Sequence, residues 1–304
     1  MEKTELKEKR EKNIRQFKLD NGRYVAEIHS KPIHYLDEAA KEYKDCDCTL
    51  HESGESYISG GGNFRVKLPK NIGGEIKSVG IYRGGADIKW EYLPDKKRNF
   101  KNGRLLSLSM SQEDGKEMCE SEGIVYPEVC RNVDLKYEVN ESEVKEKIII
   151  KGKKRSYNLR FLLKLNGYTV SESDNGKTLI FNPVNEDDEN SASGAFRMNE
   201  LYMFDNNEAY SYDVSYSLEE TGDGEYILTI VPDKDWIESE NRRFPITIDP
   251  SLEYTDNFTE NITSRTIGSN GSVLSGSSRK VGFESGITEY RTYDLYLIFQ
   301  DVVT

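Results

Sequence analysis

The chain has 304 residues, room for two domains and part of a third at about 150 residues per domain. Its 42 basic and 54 acidic side chains leave a net charge of −12 at pH 7, which argues against a basic nucleic-acid-binding surface for the chain as a whole. Hydrophobic residues make up only 36%, no run reaches the roughly eighteen apolar residues of a membrane-crossing helix, and 19 Tyr and 11 Phe supply flat apolar area suited to half-buried sheets.

Met1 to Lys12 is charged throughout, so no signal peptide is visible and the segment reads as a solvated helical or disordered lead. From residue 13 the pattern changes. Asp20-Asn21-Gly22 sits between two alternating segments, a strong hairpin signal because Asn-Gly accepts positive φ. The same punctuation recurs at Asn102-Gly103, Asp114-Gly115, Asn175-Gly176 and Asp223-Gly224. Tyr35 to Glu42 has good helix formers but also fits a turn between strands. Gly60-Gly61-Gly62 reads as a turn or bulge; a phosphate-binding loop would open a helix and carry a lysine. Phe64 to Leu68, Val133 to Val139 and Ser211 to Leu218 alternate with period two. Acidic Glu186 to Glu189 has no apolar face and lacks the ligand pattern of a calcium loop, so an exposed loop is expected. Phe244 to Pro250 reads as a closing strand ended by proline.

These elements predict an all-β, mainly antiparallel chain. The expected division is a lead over 1–12, a sandwich-like module over 13–128, a second over 129–250 and an incomplete third over 251–304. In that last piece Thr292 to Phe299 is expected as a strand short of partners, an aggregation hazard.

Few residues nominate themselves for chemistry. His29, His34 and His51 accompany no H-E-x-x-H helix, and Cys46 or Cys48 near His51 lacks the orienting third group of a nucleophile triad. Cys46, Cys48, Cys119 and Cys130 lack Cys-x-x-Cys pairing and read as ordinary or disulfide-capable thiols ahead of a zinc site. No carboxylate pair stands out among the 54 acids. No catalytic residue, metal site or cofactor is therefore assigned. Trp90 and Trp236 are the candidate glycan-stacking platforms, with core positions as the competing reading.

Several blocks together carry a resemblance. The stretch from Lys9 to Glu38, with His34-Tyr35-Leu36-Asp37, is followed by Asp47-Cys48-Thr49-Leu50, where Cys48 stands in place of a more usual asparagine. Asn132 to Tyr137, Val144 to Ile149, Pro232 to Trp236 and Phe244 to Pro250 then follow in order. This succession resembles the amino-terminal region of bacterial wall-associated and RHS (YD-repeat) cell-surface proteins, where it precedes a DNRLRE domain. Lys280-Val281-Gly282 and Arg291-Thr292-Tyr293 look like the opening of that domain. The DNRLRE string itself is absent, and Tyr212-Asp213 and Tyr293-Asp294 lack the glycine-arginine continuation of YD repeats. The resemblance implies export or a cell-surface location and truncation inside a third domain. It also implies a non-enzymatic scaffold or spacer whose partners are downstream domains of the parent protein or a neighbouring chain. The alternative is a carbohydrate-binding protein that contacts cell-wall polysaccharide. Neither a nucleic-acid partner nor a membrane span is expected.

Overall fold

The computed structural model describes residues 2–22, 24–29, 32–96, 99–108, 121–172, 177–184, 194–255, 262–268, 273–274, 282–285 and 290–299. The architecture is all-β and antiparallel, as the alternating segments predict. The helical elements among the described residues are a 3-10 turn at Lys7–Lys9 and a short α-helix at Lys234–Glu238. No helix there is long and apolar enough to cross a membrane.

The charged lead corrects its expectation. Lys3–Glu5 pairs with Ile14–Leu19 in the register Thr4 to Lys18, and Ile14–Leu19 pairs with Tyr24–Ile28, so the lead opens with a sheet strand ahead of the 3-10 turn at Lys7–Lys9. Two contacts that spacing along the chain does not display hold it. Ile14 and Phe17 are buried, and the Arg10 guanidinium grips both Glu5 oxygens at 2.7 and 3.0 Å and Asp45 at 2.8 Å. The predicted hairpin at Asp20-Asn21-Gly22 forms with Gly22 at φ +81°. At 34–45 the turn reading prevails over the helix: His34–Asp37 and Glu42–Asp45 form a hairpin. The Asp37 carboxylate there accepts the amides of Ala39 and Ala40 at 3.0 Å, which offers the backbone an alternative to helix.

Two large sheets follow. The first runs Val214–Gly222, Glu225–Pro232, Leu159–Asn166, Ala86–Leu93, Val79–Arg83, Arg65–Pro69, Ser56–Ser59, Leu50–Ser53. The second runs Arg104–Leu108, Ser121–Cys130, Val133–Val139, Glu143–Ile150, Leu252–Thr255, Ala195–Met198, Leu179–Pro183, Tyr168–Glu172, with Met203–Phe204, Tyr210–Ser211 and Ile246–Ile248 attached beside it. Both sheets draw strands from either side of the expected 128/129 boundary, and residues 1–255 form one compact unit. The reason is pairing at long range: Ala86–Leu93 takes Leu159–Asn166 as its neighbour, with Trp90 opposite Leu163.

The sheets share one core. Ile88, Trp90 and Tyr92 point inward from one sheet, and Val144, Ile148 and Ile150 from the other, each set at alternate positions. Phe196 sits at the seam with ring centroids 5.5 Å from Phe64, 5.9 Å from Tyr168 and 5.4 Å from Tyr254. The Tyr126 hydroxyl donates across to the Pro69 carbonyl at 2.6 Å.

Residues 256–304 form a second unit. Its sheet runs Val273–Leu274, Ile262–Gly268, Tyr290–Phe299, Gly282–Ser285. The apolar run 295–299, expected to lack partners, pairs with Ile262–Gly268 along one edge, whereas Gly282–Ser285 reaches only residues 290–293 on the other, so the expectation is corrected on one edge alone among the described residues.

Candidate functional site

Trp90 is 7% exposed between the sheets, where its indole Nε1 donates to the Tyr137 hydroxyl at 3.3 Å. A residue so placed has no free face for a sugar ring, and the stacking role is corrected to a core role. Trp236 is half-buried on the short helix, with the Arg242 guanidinium 4.5 Å above its ring. His34 is fully buried, its Nδ1 2.7 Å from the Glu11 carbonyl, and burial first of all pulls its pKa down. His51 is exposed and approaches Asp47 at 3.8 Å, whereas Cys48 is buried. Cys46 is buried too, and that burial pushes its thiol up to about 12, which leaves it poorly nucleophilic. Gly61 occupies the expected turn between Ser56–Ser59 and Arg65–Pro69, and a Cβ there would clash with the Tyr35 hydroxyl. Among the described residues no group of three or more His, Cys, Asp or Glu is placed to hold a metal. Cys119 and Glu186 to Glu189 lie outside the described residues.

Two arrangements escape the sequence reading. The first is internal. Glu146 occupies an inward position of Glu143–Ile150 and accepts a 2.5 Å hydrogen bond from the Tyr137 hydroxyl, which in turn accepts from Trp90. Ile88, Phe161, Leu163, Phe181 and Leu228 surround it about a void of about 20 Å³, roughly the room of one water. Burial raises the Glu146 pKa to about 8, Asp249 adds to the rise, and the Tyr137 hydrogen bond opposes it. The signal was available: strict alternation from Val144 to Ile150 places Glu146 on the apolar face.

The second is at the surface. Met203–Phe204 and Tyr210–Ser211 pair as a small hairpin, with Met203 opposite Ser211 and Phe204 opposite Tyr210. Met203 and Ser211 turn inward and are buried, so period two carries Tyr202, Phe204, Tyr210 and Tyr212 to the other face. Their rings lie together: Tyr202 is 6.1 Å from Phe204 in a stacked pair and 6.3 Å from both Tyr210 and Tyr212. Tyr210 and Tyr212 are each 62% exposed. The turn is built around Asp205. Its carboxylate accepts the amides of Asn207 at 2.9 Å and of Ala209 and Arg243 at 3.0 Å. Burial works against its charge, but these three donors and nearby Arg242 outweigh it and hold Asp205 below its ordinary pKa. Beside the rings opens a pocket of about 490 Å³, the size that takes a small ligand or a side chain. Tyr212, Val214, Tyr216, Val231 and Pro232 form its apolar lining, and Asp213, Asp233, Glu200 and Lys177 are its charged groups. Lys177 is ion-paired with Glu200. The Tyr216 hydroxyl is buried with no hydrogen-bond partner among the described residues, and burial pushes its pKa up to about 12. The pocket's described lining includes no histidine and no cysteine.

Comparison with known proteins gives a different kind of information. No family model matches the chain. Over 256 residues, 81% of the chain, it is 24% identical to the tRNA nuclease WapA of Bacillus subtilis strain 168. It is 25% identical over 258 residues to the tRNA(Glu)-specific nuclease WapA of Bacillus subtilis subsp. natto. It is 24% identical over 258 residues to the tRNA3(Ser)-specific nuclease WapA of Bacillus spizizenii. The chain spans about a tenth of the length of these relatives, 10% in each case. These names overturn the expectation of a non-enzymatic scaffold with a carbohydrate-binding alternative, because every one of the three is a nuclease. The correction concerns what the relatives do as whole proteins. Sequence motifs could not supply it, since a segment of one tenth need not contain the residues that cut.

Proposed function

We propose that this chain is a segment of a tRNA-cleaving toxin-like polypeptide of the WapA kind, with tRNA as the substrate of the whole protein. The observation that carries the reading is the collinear similarity over 81% of the chain to three tRNA nucleases. The order of motif blocks from Lys9 to Pro250 supports a cell-surface or exported location for that polypeptide, within the region that precedes a DNRLRE domain. The charge of −12 bears on how the segment would relate to RNA: an acidic surface repels phosphate, so tRNA would be held by other parts of the polypeptide.

The test uses the full polypeptide that contains this segment, incubated with total tRNA and resolved on denaturing gels. Cleavage of a subset of tRNAs is expected, together with loss of activity toward intact neighbouring cells when residues 13–255 are deleted. Intact tRNA after prolonged incubation with folded full-length protein would refute the reading.

A further inference from the structure

We propose that the pocket beside Tyr212 is a binding site for an extended basic peptide, with an Arg or Lys side chain held between the tyrosine rings and the acidic lining. This goes beyond the nuclease reading and does not lean on it. Four observations converge. First, Tyr210 and Tyr212 keep 62% of their surface in water although hydrophobic neighbours stand close by, and Tyr202 and Phe204 back them into a continuous aromatic face. The faces of such rings carry negative partial charge and attract a guanidinium or ammonium group. Second, the pocket lining is acidic. Lys177 and Glu200 neutralise one another, which leaves the carboxylates of Asp213 and Asp233 as its net charge. That sign rejects phosphate and carboxylate ligands and favours a cation. Third, Asp213 and Asp233 are held in place. Asp213 accepts the Ser211 hydroxyl at 2.9 Å, and Asp233 caps the helix by accepting the Asp235 amide at 2.9 Å, so neither is a freely rotating surface acid. Fourth, Val214–Gly222 ends the eight-stranded sheet, and its outer edge meets no strand among the described residues. Val214, Ser215 and Tyr216 of that strand also line the pocket, and the buried Tyr216 hydroxyl has no partner there. An extended main chain laid along this edge finds backbone hydrogen bonds, while its basic side chain enters the pocket.

The experiment is a fluorescence-anisotropy titration of the full chain with a labelled hexa-arginine peptide at 150 mM salt, where diffuse attraction to an acidic protein is largely screened. Saturable one-to-one binding is expected. Tyr212→Ala should weaken it by about tenfold through loss of the exposed ring face. The double variant Asp213→Asn, Asp233→Asn keeps both hydrogen-bond acceptors and the helix cap, and should weaken it by about fivefold or more. Circular dichroism and urea unfolding establish that each variant is folded. The proposal is overturned if binding does not saturate, if both variants bind as wild type does, or if a labelled single-stranded RNA of the same length binds the pocket in place of the peptide.

Discussion

Replacing Glu146 by Gln should stabilise the protein at neutral and alkaline pH and leave it little changed in acid. In the folded chain the carboxyl is fully buried, meets the Tyr137 hydroxyl at 2.5 Å, and titrates at about 8 against an ordinary 4.5. Between those values the folded state carries a proton that the unfolded state has lost, so stability falls as pH rises. The contribution is complete below pH 4.5, declines through the whole interval and levels off above about 8. At about 1.4 kcal/mol per pKa unit, the loss is on the order of 2–3 kcal/mol between pH 5 and 7 and about 1 kcal/mol more by pH 9. Gln keeps the oxygen that Tyr137 donates to and never ionises, so this component disappears in the variant. Urea unfolding of both proteins at pH 5, 7 and 9, followed by tryptophan fluorescence, isolates it as the difference between two curves. All other titrating groups are common to both and cancel. A gap between wild type and Glu146→Gln that stays constant across this range would refute the reasoning, as would a variant less stable than wild type at pH 9.

Other expectations can be checked with the same preparation. Phe196→Ala removes the ring at the seam between the two sheets, where it touches Phe64, Tyr168 and Tyr254, and should cost about 3–5 kcal/mol in urea unfolding. Asp205→Ala deletes three charge-assisted hydrogen bonds and should cost about 3 kcal/mol at pH 7, with faster amide exchange at Asn207 and Ala209. Because the folded pKa of Asp205 is depressed, its contribution is present above the ordinary carboxylate value and fades as pH falls through the folded one; the gap between variant and wild type should close in strong acid. Cys46, buried and pushed up to about 12, should resist iodoacetamide at pH 8 in the native protein and react readily in urea, as mass spectrometry of the labelled peptide would record.

Much of the local structure was written in residue order. Alternation predicted the strands Val133–Val139 and Arg65–Pro69, and glycine turns predicted the hairpins at Gly22 and Gly224. Trp90 and Trp236 illustrate the opposite case, since an aromatic side chain at a strand or helix position has the same letter whether it faces water or a core. The aromatic hairpin was legible in principle: Tyr202, Phe204, Tyr210 and Tyr212 stand at period two on both arms of the turn at Asp205. What period two does not reveal is which face the protein buries, and here Met203 and Ser211 took the inside.

Strand, turn and sheet class came from the sequence alone because they depend on neighbours two to four residues apart. Tertiary structure decided everything that rests on long-range pairing. It made the charged lead open with a strand, since Arg10 found Glu5 and Asp45 together. It merged the two expected modules, because Ala86–Leu93 paired with Leu159–Asn166 across some seventy residues of chain. The hairpin that turns at Asp223-Gly224 sets Asp233 beside Tyr212 and Asp213, but only long-range packing brought Lys177 and Glu200 to the same pocket.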